Sequence, residues 1–389
     1  MPDPERTTED ARAVGRWLVA FAVMILAIIL VGGATRLTES GLSITEWKPV
    51  SGVMPPLSEA AWSAEFEKYR QIPQYEHRNA GMTLAAFKRI YLWEYGHRLI
   101  ARLVGLAFVV PLAWFALRRR LPRRARRPVY LLLVLLLVQA AMGWWMVKSG
   151  LSVRTEVSQY RLATHLTSAL VILALTIWTA ADLLEPRRPP ASASGGCRPR
   201  ALAALLGLVL VTAGSGALVA GLRAGKIYNT FPLMAGRVVP PGYAQLAPWW
   251  RNLFENHAAV QFNHRLLATT TFVAAVALWA VLRGAADRRL AARMHLVLAA
   301  AMLQLALGIA TLLLGVPIAL GVAHQGGAAL MMTAVLLAWH ASEVAAAPAR
   351  APVGAGGAAW SAAGPPSAAW PAPRRGVVVS PTRNRRSAD

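Results

Sequence analysis

Two short stretches hold the residues best suited to chemistry. "WEYGHRLIARLVG", Trp93 to Gly105, places a Glu, a His and two Arg at the edge of an apolar run. "QFNHRLLATTTF", Gln261 to Phe272, opens a later apolar run with another His-Arg pair. Charge is costly beside so much hydrocarbon unless something uses it. Two further histidines sit in comparable settings, His165 in "LATHLTSAL" and His324 in "GVAHQGGAAL". Neutral imidazoles are common metal ligands, and two facing each other across a helix bundle can clamp a haem iron from both sides. A zinc or copper site would want Cys or three or more close ligands. The bland alternative is that the wet ends of apolar helices tolerate histidine. Recurrence of four at equivalent positions argues for the metal.

Glu94 is the asymmetric residue. It stands three residues before His97, so on a helix the two share a face. Its counterpart, Gln261, cannot ionise. A carboxylate beside a macrocycle can manage charge or protons; alternatively it hydrogen-bonds backbone at a helix start. Arg98 and Arg265 follow the first His of each pair. They suit charge-assisted pairing with propionates, or snorkelling to water from a helix end. His77, His257, His295 and His340 have no such repeat mates and read as solvated or structural.

The elements that must position these residues are legible from composition. Of 389 residues, 56% are hydrophobic and 15% charged, too apolar for an ordinary soluble domain. A spanning helix needs roughly 20 apolar residues. Eight runs qualify, near 17–35, 97–117, 128–147, 161–181, 201–222, 264–282, 293–313 and 317–341. The first is too long for a signal-peptide core and lacks a clear cleavage site. The expected fold is an all-α membrane protein with eight transmembrane helices in two pseudo-symmetric four-helix bundles.

The pseudo-symmetry rests on a repeat. "EYGHRLIARLVG" aligns with "QFNHRLLATTTF", "QAAMGWWMVKSG" with "QLALGIATLLLG", and "LATHLTSAL" with "GVAHQGGAAL". The expected organisation is an N-terminal segment 1–16, a first half 17–182 with a long outer loop 36–96, a linker 183–200, a second half 201–341 and a disordered tail 342–389. The net charge of +23 does not signal nucleic acid. Most Lys and Arg fall in "RRRLPRRARR" and the other segments on one side, the positive-inside pattern. Both termini are then cytoplasmic, and all four histidines lie near the outer surface. The single cysteine, Cys197, can form no disulfide within the chain.

At this point the chain resembles the haem A synthase family. The matching strings are "GGATRLTESGLSITEWKPVSGVMPPLSEAAW", "FKRIYLWEYGHRLIARLVG", "GLRAGKIYNTFPLMAGRVVP" and "NHAAVQFNHRLLA". They span both halves and leave the tail uncovered. The family's Gram-positive branch carries a cysteine pair in outer loops; this chain has no outer cysteine and looks like the other branch. No Arg/Ser-rich transit peptide opens the chain, so a bacterial inner membrane is expected.

The resemblance implies oxidation of a ring methyl of haem O to a formyl group, through hydroxylated intermediates, for cytochrome oxidase. It implies that His97 and His165 hold the substrate haem, with Glu94 as the catalytic carboxylate. It implies that His264 and His324 ligate a permanent haem b. Haem O synthase (a protohaem farnesyltransferase) upstream, a ferredoxin-like or other electron donor, the lipid bilayer and a homo-oligomer are the expected partners. A quinol-linked di-haem b electron-transfer protein or a haem carrier would use the same four histidines.

Overall fold

The computed structural model describes residues 4–48, 51–151, 155–185, 197–285 and 287–345. They fall within one compact unit, Met1–Pro348. The helices are α1 (Pro4–Leu37), α2 (Glu59–Arg70), α3 (Pro73–Arg78), α4 (Leu84–Leu117), α5 (Arg123–Lys148), α6 (Gln159–Leu184), α7 (Cys197–Gly221), α8 (Asn252–Glu255), α9 (His257–Leu282), α10 (Arg288–Leu313) and α11 (Ile318–Ala345). Eight of them, all but the short α2, α3 and α8, are long and apolar enough to cross a membrane. No strand forms among the described residues; one isolated bridge joins Met234 to Arg237. The chain is thus a multi-pass helical membrane protein.

Several helices begin earlier than hydropathy alone indicates. α4 starts at Leu84, not near residue 97, where Thr83 accepts a hydrogen bond from the Ala86 N–H at 3.2 Å. The added turns carry Lys88, Arg89 and Glu94, which ended the apolar run. Their other face buries Phe87 and Tyr91 in an aromatic cluster with Tyr69, Trp62 and Phe66. This amphipathic stretch is stabilised by packing on α2, a tertiary contact invisible to a hydropathy window. In the same way α1 extends back to Pro4, with Ala11 and Val14 buried. Asn256 caps α9 through the N–H groups of Ala258 and Ala259. The expected outer loop 36–96 therefore contains α2, α3 and the first turns of α4. Of the expected linker, residues 186–196 lie outside the described residues, as does the expected disordered tail beyond 345.

Packing follows the repeat. In the first half α4 packs on α1, α1 on α6 and α6 on α5. In the second half α9 packs on α7, α7 on α11 and α11 on α10. The helices α1, α6, α7 and α11 also contact one another across the halves. Small residues permit the close approach, as is usual between membrane helices. A Cβ on Gly33 would meet the Gln325 side chain at 2.8 Å, and one on Gly221 would meet the Gln159 backbone at 2.7 Å. At one end of this interface Glu156 accepts from Arg36, Arg78 and Arg223, and Glu39 also pairs with Arg223.

Candidate functional site

His165, His264 and His324 fall six or seven residues into α6, α9 and α11; His97 falls thirteen into α4, whose first turns pack on α2. Each histidine lies against a glycine of a neighbouring helix. Cβ atoms built on Gly32 of α1 and Gly143 of α5 would come within 3.3 Å of the His97 and His165 rings. Cβ atoms on Gly216 of α7 and Gly308 of α10 would come within 3.0 and 2.9 Å of the His264 and His324 rings. The contacts recur in the two halves: the first helix of each half backs the His of the second, and the third backs the His of the fourth. Any larger side chain would push the imidazole out of place.

Within the second half, the His264 and His324 rings face each other with centroids 6.5 Å apart and planes at 86°. Ser215 Oγ lies 2.8 Å from His264 Nδ1, and Gln304 Nε2 donates to the His324 carbonyl at 3.0 Å. His324 Nδ1 and Gln304 Oε1 are buried without a hydrogen-bond partner. In the first half Gln139 Nε2 donates to the His165 carbonyl at 3.0 Å and lies 3.2 Å from His165 Nδ1. Here Gln139 Oε1 accepts from Ser168. The repeat mate of Ser168 is Gly327, which explains the unpartnered Gln304 oxygen. No group of three or more His, Cys, Asp or Glu that could hold a bare metal ion exists among the described residues. A pair of imidazoles from facing helices, packed on glycine and with an unsatisfied ring nitrogen, fits an axially ligated macrocycle.

Glu94 is buried, at 2% exposure. Its Oε2 accepts from Ser43 Oγ at 2.8 Å and from the Ile44 N–H at 2.9 Å. Its Oε1 accepts from Arg98 Nε at 3.0 Å and Nη2 at 2.6 Å. Arg98 in turn donates to the carbonyls of Ile44 and Glu46. Glu94 lies ten residues inside α4, so it does not cap the helix start; the backbone it binds belongs to the loop after α1. The second half keeps the loop contacts and drops the charge. Arg265 donates to the carbonyls of Tyr228 and Thr230, and Gln261 Nε2 donates to Tyr228. Gln261 Oε1 is buried without a partner.

Beside Arg98 lies a cavity of about 300 Å³, lined by Ile44, Glu46, Lys48, Tyr91, Tyr95 and Arg102 among others. Hydrogen bonds from Lys48 and Lys68 hold the Glu46 carboxyl below its ordinary range, and Glu65 with Glu46 holds the Lys68 ammonium above its own. These ion pairs tie the loop to α2.

The remaining histidines are engaged elsewhere. His340 is buried, with Nε2 3.1 Å from Asp182. His295 Nδ1 accepts from Trp279 Nε1 at 3.0 Å. His77 and His257 are exposed. Sequence reasoning missed the four supporting glycines. Two of them, Gly143 and Gly308, lie in the aligned strings "QAAMG" and "QLALG", so a signal was present. Ser43 and the loop carbonyls had no sequence signal at all.

Residues 15–336 match the family model described as cytochrome oxidase assembly protein. Curated relatives named "Heme A synthase" share this length. That of Bradyrhizobium sp. (strain ORS 278) is 50% identical over 336 residues, 85% of this chain and 91% of the relative. That of Rhodopseudomonas palustris (strain BisA53) is 52% identical over 324 residues, 82% and 88%. That of Parvibaculum lavamentivorans (strain DS-1) is 46% identical over 341 residues, 88% and 97%. By this coverage and identity, the chain belongs to the haem A synthase family of cytochrome oxidase assembly proteins.

Proposed function

We propose that the chain is an oxidoreductase that converts a ring methyl of haem O to a formyl group, making haem A. Its near full-length identity to relatives named for that synthesis carries the reading. A di-haem b cytochrome or a haem carrier is not favoured.

Within this reading the N-terminal half holds haem O through His97 and His165. The C-terminal half holds haem b through His264 and His324, which when bound would supply an electron relay. The supporting observation is the difference between two otherwise matching halves: a buried, ionisable Glu94 stands where the other half has Gln261. Conversion of the methyl to a formyl group takes up an oxygen atom and releases electrons and protons, so an external oxidant has to accept the electrons. Glu94 is placed on the face of α4 that also carries His97, where a carboxylate can offset developing positive charge or accept a proton. Arg98 and Ser43 fix its orientation. The remaining N–H groups of Arg98 and Arg265 are available to propionates of the two macrocycles. Haem O synthase upstream, an electron donor such as a ferredoxin-like protein, and self-association belong to the same proposal.

The test is pigment extraction from purified protein and its variants. Wild type should yield haem B together with haem O and haem A; haem B alone would overturn the reading. His264→Ala or His324→Ala should abolish the low-spin haem b spectrum. His97→Ala or His165→Ala should retain it and make no haem A. The cellular setting proposed is a bacterial inner membrane with both termini cytoplasmic. Reporter fusions after residues 125 and 287 should then score cytoplasmic, and those after 60 and 240 external.

A further inference from the structure

The two halves differ along one seam. α9 and α10 pack along their length, whereas their repeat mates α4 and α5 touch at only a few positions. At the seam's level the repeat aligns Gly105 of α4 with Phe272 of α9. Phe272 packs against the apolar core. A Cβ on Gly105 would meet no neighbouring atom within 4 Å. The first half therefore has open space where the second has a phenyl ring.

This seam is continuous with the His97/His165 site. α4 carries His97, and α5 supplies the Gly143 that backs His165. Both helices present apolar side chains outward in their spanning segments: Leu103, Leu106 and Val110 on α4, and Val134, Leu137 and Val138 on α5, each exposed by more than two-fifths. An opening between such helices faces lipid, not water.

We infer that the α4–α5 seam is a lateral doorway from the bilayer to the His97/His165 site, and that Gly105 leaves room for the isoprenoid tail of the incoming macrocycle. The inference rests on the proposed haem O substrate. The chemistry favours this occupant over a tail-free haem. A farnesyl-derived chain is long, apolar and soluble in hydrocarbon, so it partitions into lipid and needs a slot that opens sideways. A resident cofactor needs no such slot, and in the second half α10 packs along α9.

The test compares Gly105→Phe and Gly105→Ala in the full-length, haem b-containing protein. Haem O and tail-free haem B are titrated and read by the change in Soret absorption. Gly105→Phe should weaken haem O binding by about 10- to 100-fold, the range expected for overfilling a packed site. Haem B binding should change far less, Gly105→Ala should resemble wild type, and bound haem b should stay. Unchanged haem O affinity in Gly105→Phe, or equal loss of both ligands, would overturn the tail slot. Wild-type protein that binds no haem O would instead sink the substrate reading. A second measurement needs no variant. Haem O bearing a diazirine at its tail end, irradiated in wild-type protein, should label α4 or α5. Labelling confined to other helices would overturn the doorway.

Discussion

Glu94 is a satisfied carboxylate, and that shapes what its replacement should do. Four hydrogen bonds from Ser43, Ile44 and Arg98 converge on it. In the proposed reaction it would act through its charge, or by holding the loop at residues 43–46 in place. Two substitutions separate these roles. Glu94→Gln keeps the size and removes the charge, and should lower haem A formation by about 10²–10³, a loss of roughly 3–4 kcal/mol in the transition state. Haem b bound through His264 and His324 should persist. Ser43→Ala removes one hydrogen bond and leaves the charge; it should cost about 1 kcal/mol, a fivefold slowing. Equal damage from both, measured as haem A per haem b, would make Glu94 a positioning residue only.

At the scale of elements, helix pairs set the imidazoles. Each histidine has little freedom because the edge of its ring packs closely against a glycine on the adjacent helix. Gly308→Ala would place a Cβ within 2.9 Å of His324 Cε1, tighter than ordinary contact. The expected cost is about 1–3 kcal/mol in repacking or ligation. Its readout is a weakened or high-spin haem b absorption band. Gly143→Ala should spare that band and reduce haem O binding instead. If Gly143→Ala disturbs haem b as much as Gly308→Ala does, the two four-helix units do not act as separate sites.

At the scale of the whole molecule, the halves are joined by glycine contacts between helices and by two ion clusters, one around Glu156 and one in which Asp182 and Glu185 meet Arg293 and His340. Glu156 serves Arg36, Arg78 and Arg223 together, and its side chain is only 17% exposed. Removing it leaves three crowded guanidinium groups with Glu39 as their nearby carboxylate. Glu156→Gln should destabilise the protein by about 3 kcal/mol, the lower end for a broken buried pair. Thermal unfolding in detergent should show the loss, with haem released at a lower temperature. An unchanged midpoint would mean that the helix contacts and the cluster around Glu185 hold the halves together without Glu156.

Sequence alone determined the properties that are local or periodic. Eight spans follow from runs of apolar residues, since hydrocarbon admits little else. The four paired histidines and the Glu94/Gln261 difference follow from aligning one half on the other. Tertiary structure decided what lies between distant segments. Gly32 meets His97 and Gly216 meets His264 only because helices far apart in the chain pack together. α4 extends back to Leu84 because Phe87 and Tyr91 find Tyr69 and Trp62, not because its first turns are apolar. The partners of Glu94 and Arg98 come from a loop some fifty residues earlier. Two halves with matching strings pack differently, α9 along the length of α10 but α4 on α5 at only a few positions. Hydropathy and repeat spacing report the solvent of each residue; only packing reports its neighbour.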